Sequence, residues 1–164
     1  MNKVEKQKKN QTRINSFIAE CYVHETEVME KVERALTYLL PQDYQTNLNK
    51  NFSLFREKME GHFQNSIWRL KLELKKEYAQ ETTFYLFDRL IRGEKDKILT
   101  EFEQRFDTKA LALYLRLNKQ KLAQNEIWLA DGLDPVKIRI KIAGISGPKR
   151  VIESENFLKE YLEK

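Results

Sequence analysis

Proline and glycine, the residues that most often interrupt regular structure, are placed so unevenly in this chain that they divide it in two. Residues 42–131 hold no proline and only Gly61 and Gly93, whereas Gly132, Pro135, Gly144, Gly147 and Pro148 crowd into residues 132–148. The pattern predicts a long regular part followed by a short loop-rich one.

Within the long part, Ile14, Ile18, Cys21, Glu25, Val28, Val32, Ala35 and Leu39 recur at steps of three and four, the seam of an amphipathic helix or coiled coil. Pro41 stops that helix, and Asp43 can cap the next. Leu48, Phe52, Phe55, Met59, Phe63, Ile67, Leu70, Leu74 and Tyr78 continue the stripe mostly at steps of four. A helix over 44–80 would run roughly 50 Å at 1.5 Å per residue, beyond the ~30 Å diameter of a compact domain of this size. An elongated body follows from that reading. A competing pattern exists: Trp68, Leu70, Leu72 and Leu74 alternate with Arg69, Lys71, Glu73 and Lys75, and Leu111, Leu113, Leu115 and Leu117 alternate likewise, as in half-buried strands. The helical reading is preferred because these runs use Leu, Lys, Glu, Arg and Ala, not β-branched residues.

Residues 94–106 and 108–124 read as further helices. A strand signal becomes clean at Val136–Ile142, preceded by the turn Asp131-Gly132-Leu133-Asp134-Pro135 and by Ile127-Trp128-Leu129, a candidate β-hairpin. Residues 152–163 form an amphipathic terminal helix. The expected class is mainly α (α+β): a long N-terminal antiparallel helical hairpin, shorter helices, a C-terminal β-hairpin and a terminal helix. The expected organisation is a flexible basic arm at 1–13, a helical body at 14–125, and a hairpin, glycine loop and terminal helix at 126–164, packed on the body as one domain.

Composition narrows the class. Charged residues make up 34% and hydrophobic ones 41%, which suits a folded, soluble chain and not a disordered one. Cys21 is the sole cysteine, so no internal disulfide can form, and a reducing, cytoplasmic setting is expected. The basic N-terminus is not followed by the apolar run of a signal peptide or membrane span, so no membrane role is expected. The net charge of +5 is concentrated: residues 1–13 carry +4, residues 137–150 carry +5, and the remainder is acidic.

The second basic segment is the strongest candidate for function. Alternation puts Val136, Ile138, Ile140 and Ile142 on one strand face and Lys137, Arg139 and Lys141 on the other. The strand runs into Gly144, Gly147, Lys149 and Arg150 and then a helix, an arrangement that exposes backbone N–H groups where anions are favoured. Solubilising an exposed edge is the plainer explanation for alternating cations. Five cations without an acid exceed what solubility needs, so Lys137, Arg139, Lys141, Gly144, Gly147, Lys149 and Arg150 form the candidate nucleic-acid-binding set. This is no P-loop, since the spacing is short and Arg150 stands where a hydroxyl is needed. The Gly-x-x-Gly spacing of Gly144 and Gly147 is similar to the clamp of KH-type RNA-binding domains, where the loop joins two helices, whereas here a strand precedes it.

Arg56 and His62 have an Arg-x5-His spacing that resembles the short motif of HEPN-type helical ribonucleases. The resemblance implies a positive charge and an imidazole acting on a scissile phosphate. It supplies the catalytic candidates of a third reading, set against a surface arginine and a partly buried histidine. Cys21, His24 and Glu25 share one side of the expected first helix, but one cysteine and two histidines in the whole chain argue against a metal site. Neither metal nor cofactor is expected.

The leading expectation is a non-enzymatic accessory protein that self-associates as a homo-oligomer through the 14–39 and 48–78 seams and contacts DNA or RNA phosphates through the 137–150 element. The alternative is a regulator or inhibitor that docks the same basic face into an acidic protein surface or a nucleic-acid-binding groove of a larger partner. The HEPN-like ribonuclease is third.

Overall fold

Ile14–Val23 forms a ten-residue strand, β1, in which Phe17, Ala19, Cys21 and Val23 point inward and are at most 3% exposed. That period of two competes with the three-and-four seam through the same residues, and it prevails because both edges of β1 find partners. A computed structural model describes residues 12–46, 52–61, 63, 65–143 and 145–164. After β1 come helices α1 (Met29–Thr37) and α2 (Gln42–Thr46), then strands β2 (Ser53–Glu60) and β3 (Ser66–Lys75). Helices α3 (Lys76–Arg89), α4 (Arg92–Thr100) and α5 (Phe102–Arg105) follow, then β4 (Phe106–Asp107), β5 (Ala112–Leu117), α6 (Lys119–Ala123), β6 (Val136–Ile142) and α7 (Arg150–Glu163).

The strands make one sheet in the order β2-β3-β1-β6-β5-β4, with every neighbouring pair antiparallel. Phe17 is paired with Leu74 on one side and Ile140 on the other, so segments distant in the chain meet at the centre of the sheet. Leu70, Leu72, Leu74, Val136, Ile138, Ile140, Leu113, Leu115 and Leu117 share the inward face with β1 and are almost wholly buried. One apolar cluster joins them to Val32 and Leu36 of α1, Leu86 and Phe87 of α3, Ile98 of α4 and Leu158 and Leu162 of α7. The helices thus cover one face of the sheet. Much of the other face is accessible: Lys71, Arg139 and Lys141 are half-buried and Tyr114, Arg116 and Lys137 are exposed, while Ser16 and Ala112 on the same face are buried.

This architecture corrects the expected mainly helical class. In place of a long N-terminal helical hairpin the chain begins with a strand and builds a six-stranded antiparallel sheet. The 14–39 seam is β1 plus α1, and the 48–78 stripe includes β2, β3 and the start of α3, so the coiled-coil seams expected to drive self-association do not exist as continuous helices. The period-two alternation at 68–75 and 111–117, disfavoured on propensity, is the one that folds, as β3 and β5. Leucine and alternating charge do make strands when one face is covered, because burial and cross-strand packing outweigh intrinsic preference. The expected helix at 108–124 is β5 followed by the short α6. The strand at Val136–Ile142 has the expected extent, but its partners are β1 and β5, while 127–129 contributes a single bridge, Leu129 to Leu117. The terminal helix is present as α7. Most of the expected basic arm lies outside the described residues.

Candidate nucleic-acid interface

Register places the open-face side chains in rows across the strands. One row reads Phe55, Lys71, Glu20, Lys137 and Arg116; the next reads Ser53, Glu73, Ile18, Arg139 and Tyr114; a third reads Lys75, Ser16, Lys141, Ala112 and Asp107. Neighbouring strands lie about 4.8 Å apart, so the cations of β5 and β6 form one basic field, separated from Lys71 and Lys75 of β3 by β1, which contributes Glu20 and no cation to this face.

The two sides differ. On the β2–β3 side the charges are largely paired: Arg69 meets Glu57 at 2.9 Å and Lys71 meets Glu73 at 3.6 Å. On the β5–β6 side Lys137 and Lys141 make no ion pair among the described residues, and Arg116 donates to the Gly132 carbonyl at 3.3 Å. Arg139 Nε donates to the Tyr114 hydroxyl at 3.1 Å. Asp107 is the acid there, and its Oδ1 accepts from the backbone N–H groups of Lys109 and Ala110 at 2.8 and 3.1 Å. Those bonds, from Ala110 and then Lys109, hold its carboxyl below the usual range, so it stays charged but turned to its own loop. Positive charge beside an exposed tyrosine ring suits phosphates and unstacked bases.

Of the residues singled out from sequence, Lys137, Arg139 and Lys141 lie together on this face. Lys149 and Arg150 are exposed at the start of α7, whose contacts are with α3 and α4 in the helical layer. Gly147 has φ +92°, a conformation that glycine adopts without strain. Gly144 and His62 lie outside the described residues. Arg56 pairs with Leu70 in register and therefore points to the helix-side face, where it forms an ion pair with Glu33 of α1. It is not on the basic face. Sequence reasoning missed Tyr114, Arg116 and Lys71, and the signal that could have found them was the disfavoured alternation of β3 and β5. It also missed Tyr22, which the alternation of Phe17, Ala19, Cys21 and Val23 turns to the open face.

Cys21, His24 and Glu25 do not share a helix face. Cys21 is in the core of β1, and burial pushes its thiol up to about 12, the reverse of what a metal ligand needs. His24, Glu27 and Asp134 do converge, with ligand-type atoms within 4.8 Å of one another. The ammonium of Lys119, 6% exposed, already sits between the two carboxylates, at 2.8 Å from Glu27 and 2.5 Å from Asp134, and supplies the positive charge there. His24 Nε2 lies 3.1 Å from the same Asp134 oxygen.

Among the described residues no helix is long and apolar enough to cross a membrane. Solved structures share the fold. Protein AF2318 from Archaeglobus fulgidus is 30% identical with a TM-score of 0.67, the match covering 89% of this chain and 99% of that one. Mth689, a DUF54 protein from Methanothermobacter thermautotrophicus, is 26% identical with a TM-score of 0.69 over 92% of this chain and 98% of that one. A UPF0201 protein from Methanococcus jannaschii shows the fold at 14% identity and a TM-score of 0.54, covering 90% of this chain and 98% of that one. The RNA-binding protein PAB1135 of Pyrococcus abyssi is 27% identical over 142 residues, 87% of this chain and 89% of that protein. Residues 17–142, from the centre of β1 to the last residue of β6, match the family described as RNA binding, and the chain belongs to that RNA-binding family.

Proposed function

We propose that this chain binds RNA without acting on it chemically, through the open face of β5 and β6. Lys137, Arg139, Lys141 and Arg116 contact phosphates, and Tyr114 offers a ring to a base. The observation that carries the reading is the row of β6 cations, without ion-paired acids among the described residues, on the uncovered face of a sheet in a chain of the RNA-binding family. Gly147, Lys149 and Arg150, between β6 and the start of α7, stand apart from that row and add a second, separate basic contact, and a cytoplasmic setting suits the reading. Neither catalysis nor self-association is part of this reading.

The test is RNA affinity as a function of salt. Replacing Lys137, Arg139 and Lys141 together by alanine weakens binding to RNA of any sequence and flattens the dependence of log K on log salt by about 0.7–0.9 for each phosphate left without its cation. Unchanged affinity and slope in the triple variant would overturn the reading.

A further inference from the structure

At one end of the open face, where β1 and β5 finish and β6 begins, Tyr22, His24, Arg116, Asp134, Pro135 and Lys137 line a cleft of about 310 Å³. We propose that this cleft takes one unstacked ribonucleotide of a single-stranded RNA lying on the face, with the base against Tyr22 and Pro135 and a phosphate on Arg116 and Lys137. The inference rests on the reading of the face as an RNA surface.

Size, wall chemistry and rigidity each support it. The volume is at the lower end of small-molecule sites, about 300–1,000 Å³, enough for a nucleotide and too small for a stacked pair. Half-buried Tyr22 brings a ring to the cleft beside the edge of buried Pro135, and Arg116 and Lys137 bring the charge, the two chemistries that a base and its phosphate need. Arg116 and Lys137 are direct cross-strand partners, so both charges project from one point of the ladder. Arg116 is steadied by the Gly132 carbonyl at 3.3 Å, and a guanidinium keeps further N–H donors for a phosphate. Glu20, which also lines the cleft, stands between Lys71 and Lys137 in its row, which offsets its charge.

The far wall is pre-set. Asp134 adopts φ +62° and directs one carboxylate oxygen to both Lys119, at 2.5 Å, and His24, at 3.1 Å. Lys119 also donates to the Tyr22 carbonyl at 2.9 Å, tying the wall to the strand that carries the ring. Binding there orders little that is not already ordered. Because the cleft is reached from the sheet face, a base must leave its helix to enter, so a duplex whose bases stay paired cannot use it.

The experiment follows backbone amide signals of the full chain during titration with 5′-AMP, and measures affinity for a single-stranded RNA and a duplex of the same length. The expected result is that 5′-AMP shifts the signals of Tyr22, Arg116 and Lys137 and that single-stranded RNA displaces it. Arg116→Ala abolishes the AMP shifts. Tyr22→Ala weakens the single strand about tenfold and leaves the duplex unchanged, whereas Tyr22→Phe, which keeps the ring, binds both as the parent does. Three results would overturn the proposal: no AMP-induced shifts at the cleft, AMP binding with which single-stranded RNA does not compete, or equal weakening of single strand and duplex by Tyr22→Ala. Failure of the broader RNA reading is distinguishable, since it would leave the β6 triple variant unaffected on every RNA.

Discussion

Tyr114 and Arg139 are direct partners across β5 and β6, and the arginine Nε donates to the tyrosine hydroxyl at 3.1 Å while its guanidinium carbon lies 6.0 Å from the ring centroid. A ring and a cation are thereby presented side by side on the open face. Tyr114→Ala is expected to cost about 1–3 kcal/mol of single-stranded RNA affinity, the usual worth of one stacked base. Tyr114→Phe, which keeps the ring and loses the hydroxyl that accepts from Arg139, retains most of it. Fluorescence anisotropy with labelled RNA reads both, and thermal unfolding should move little because Tyr114 is 42% exposed.

Lys119 is a structural pin. Its ammonium bonds Glu27, Asp134 and the Tyr22 carbonyl, so Lys119→Ala leaves two carboxylates facing each other without their cation. A loss of about 3–5 kcal/mol in urea unfolding is expected, as when one member of a buried ion pair is removed. Burial alone would lower the Lys119 pKa, but hydrogen bonds to Asp134 and Glu27 outweigh it and the net shift is upward from 10.5. The stabilisation it brings is complete below pH 10.5 and is lost as pH rises through the higher folded value. The parent should therefore lose more stability than Lys119→Met as pH rises above 10.5.

Cys21 titrates in the same direction for a different reason. Burial raises its thiol from 9.0 to about 12, so between those values the folded chain holds a proton that the unfolded chain has released, and stability falls with rising pH across that window. At pH about 8 the native thiol should resist a disulfide reagent and react promptly once urea unfolds the chain. Rapid reaction of the native protein would contradict the burial seen at 2% exposure.

Phe17 closes the centre of the sheet between Leu74 and Ile140 and is fully buried. Phe17→Ala should cost about 3–5 kcal/mol, through the forfeited transfer energy and the cavity left behind. Substituting Met59, 39% exposed on the edge strand β2, should change stability by less than about 0.5 kcal/mol. Comparison of the two denaturation midpoints checks the placement of the core.

The parts of the fold legible in the sequence were those whose pattern is local. Val136–Ile142 alternates β-branched residues with cations, and neither a helix nor a loop accommodates that pattern, so its extent and its basic face could be read directly. The terminal helix, with Leu158 and Leu162 buried on one side, was readable for the same reason. Ile14–Val23 was not, because Ile14, Ile18 and Cys21 fit a helical seam while Phe17, Ala19, Cys21 and Val23 fit a strand face. The chain contains both periods there, and only hydrogen-bonding partners separate them.

What the amino-acid sequence determined by itself was the charge and alternation of β6. What only the tertiary structure decided was which period the remaining segments obey and which cations stand together. β1 becomes a strand because β3 and β6, from distant parts of the chain, supply both edges of its ladder and bury Phe17 between them. The same pairing sets Arg116 and Tyr114 beside Lys137 and Arg139, an adjacency no local pattern encodes, since it depends on register between strands joined through a helix and a long loop.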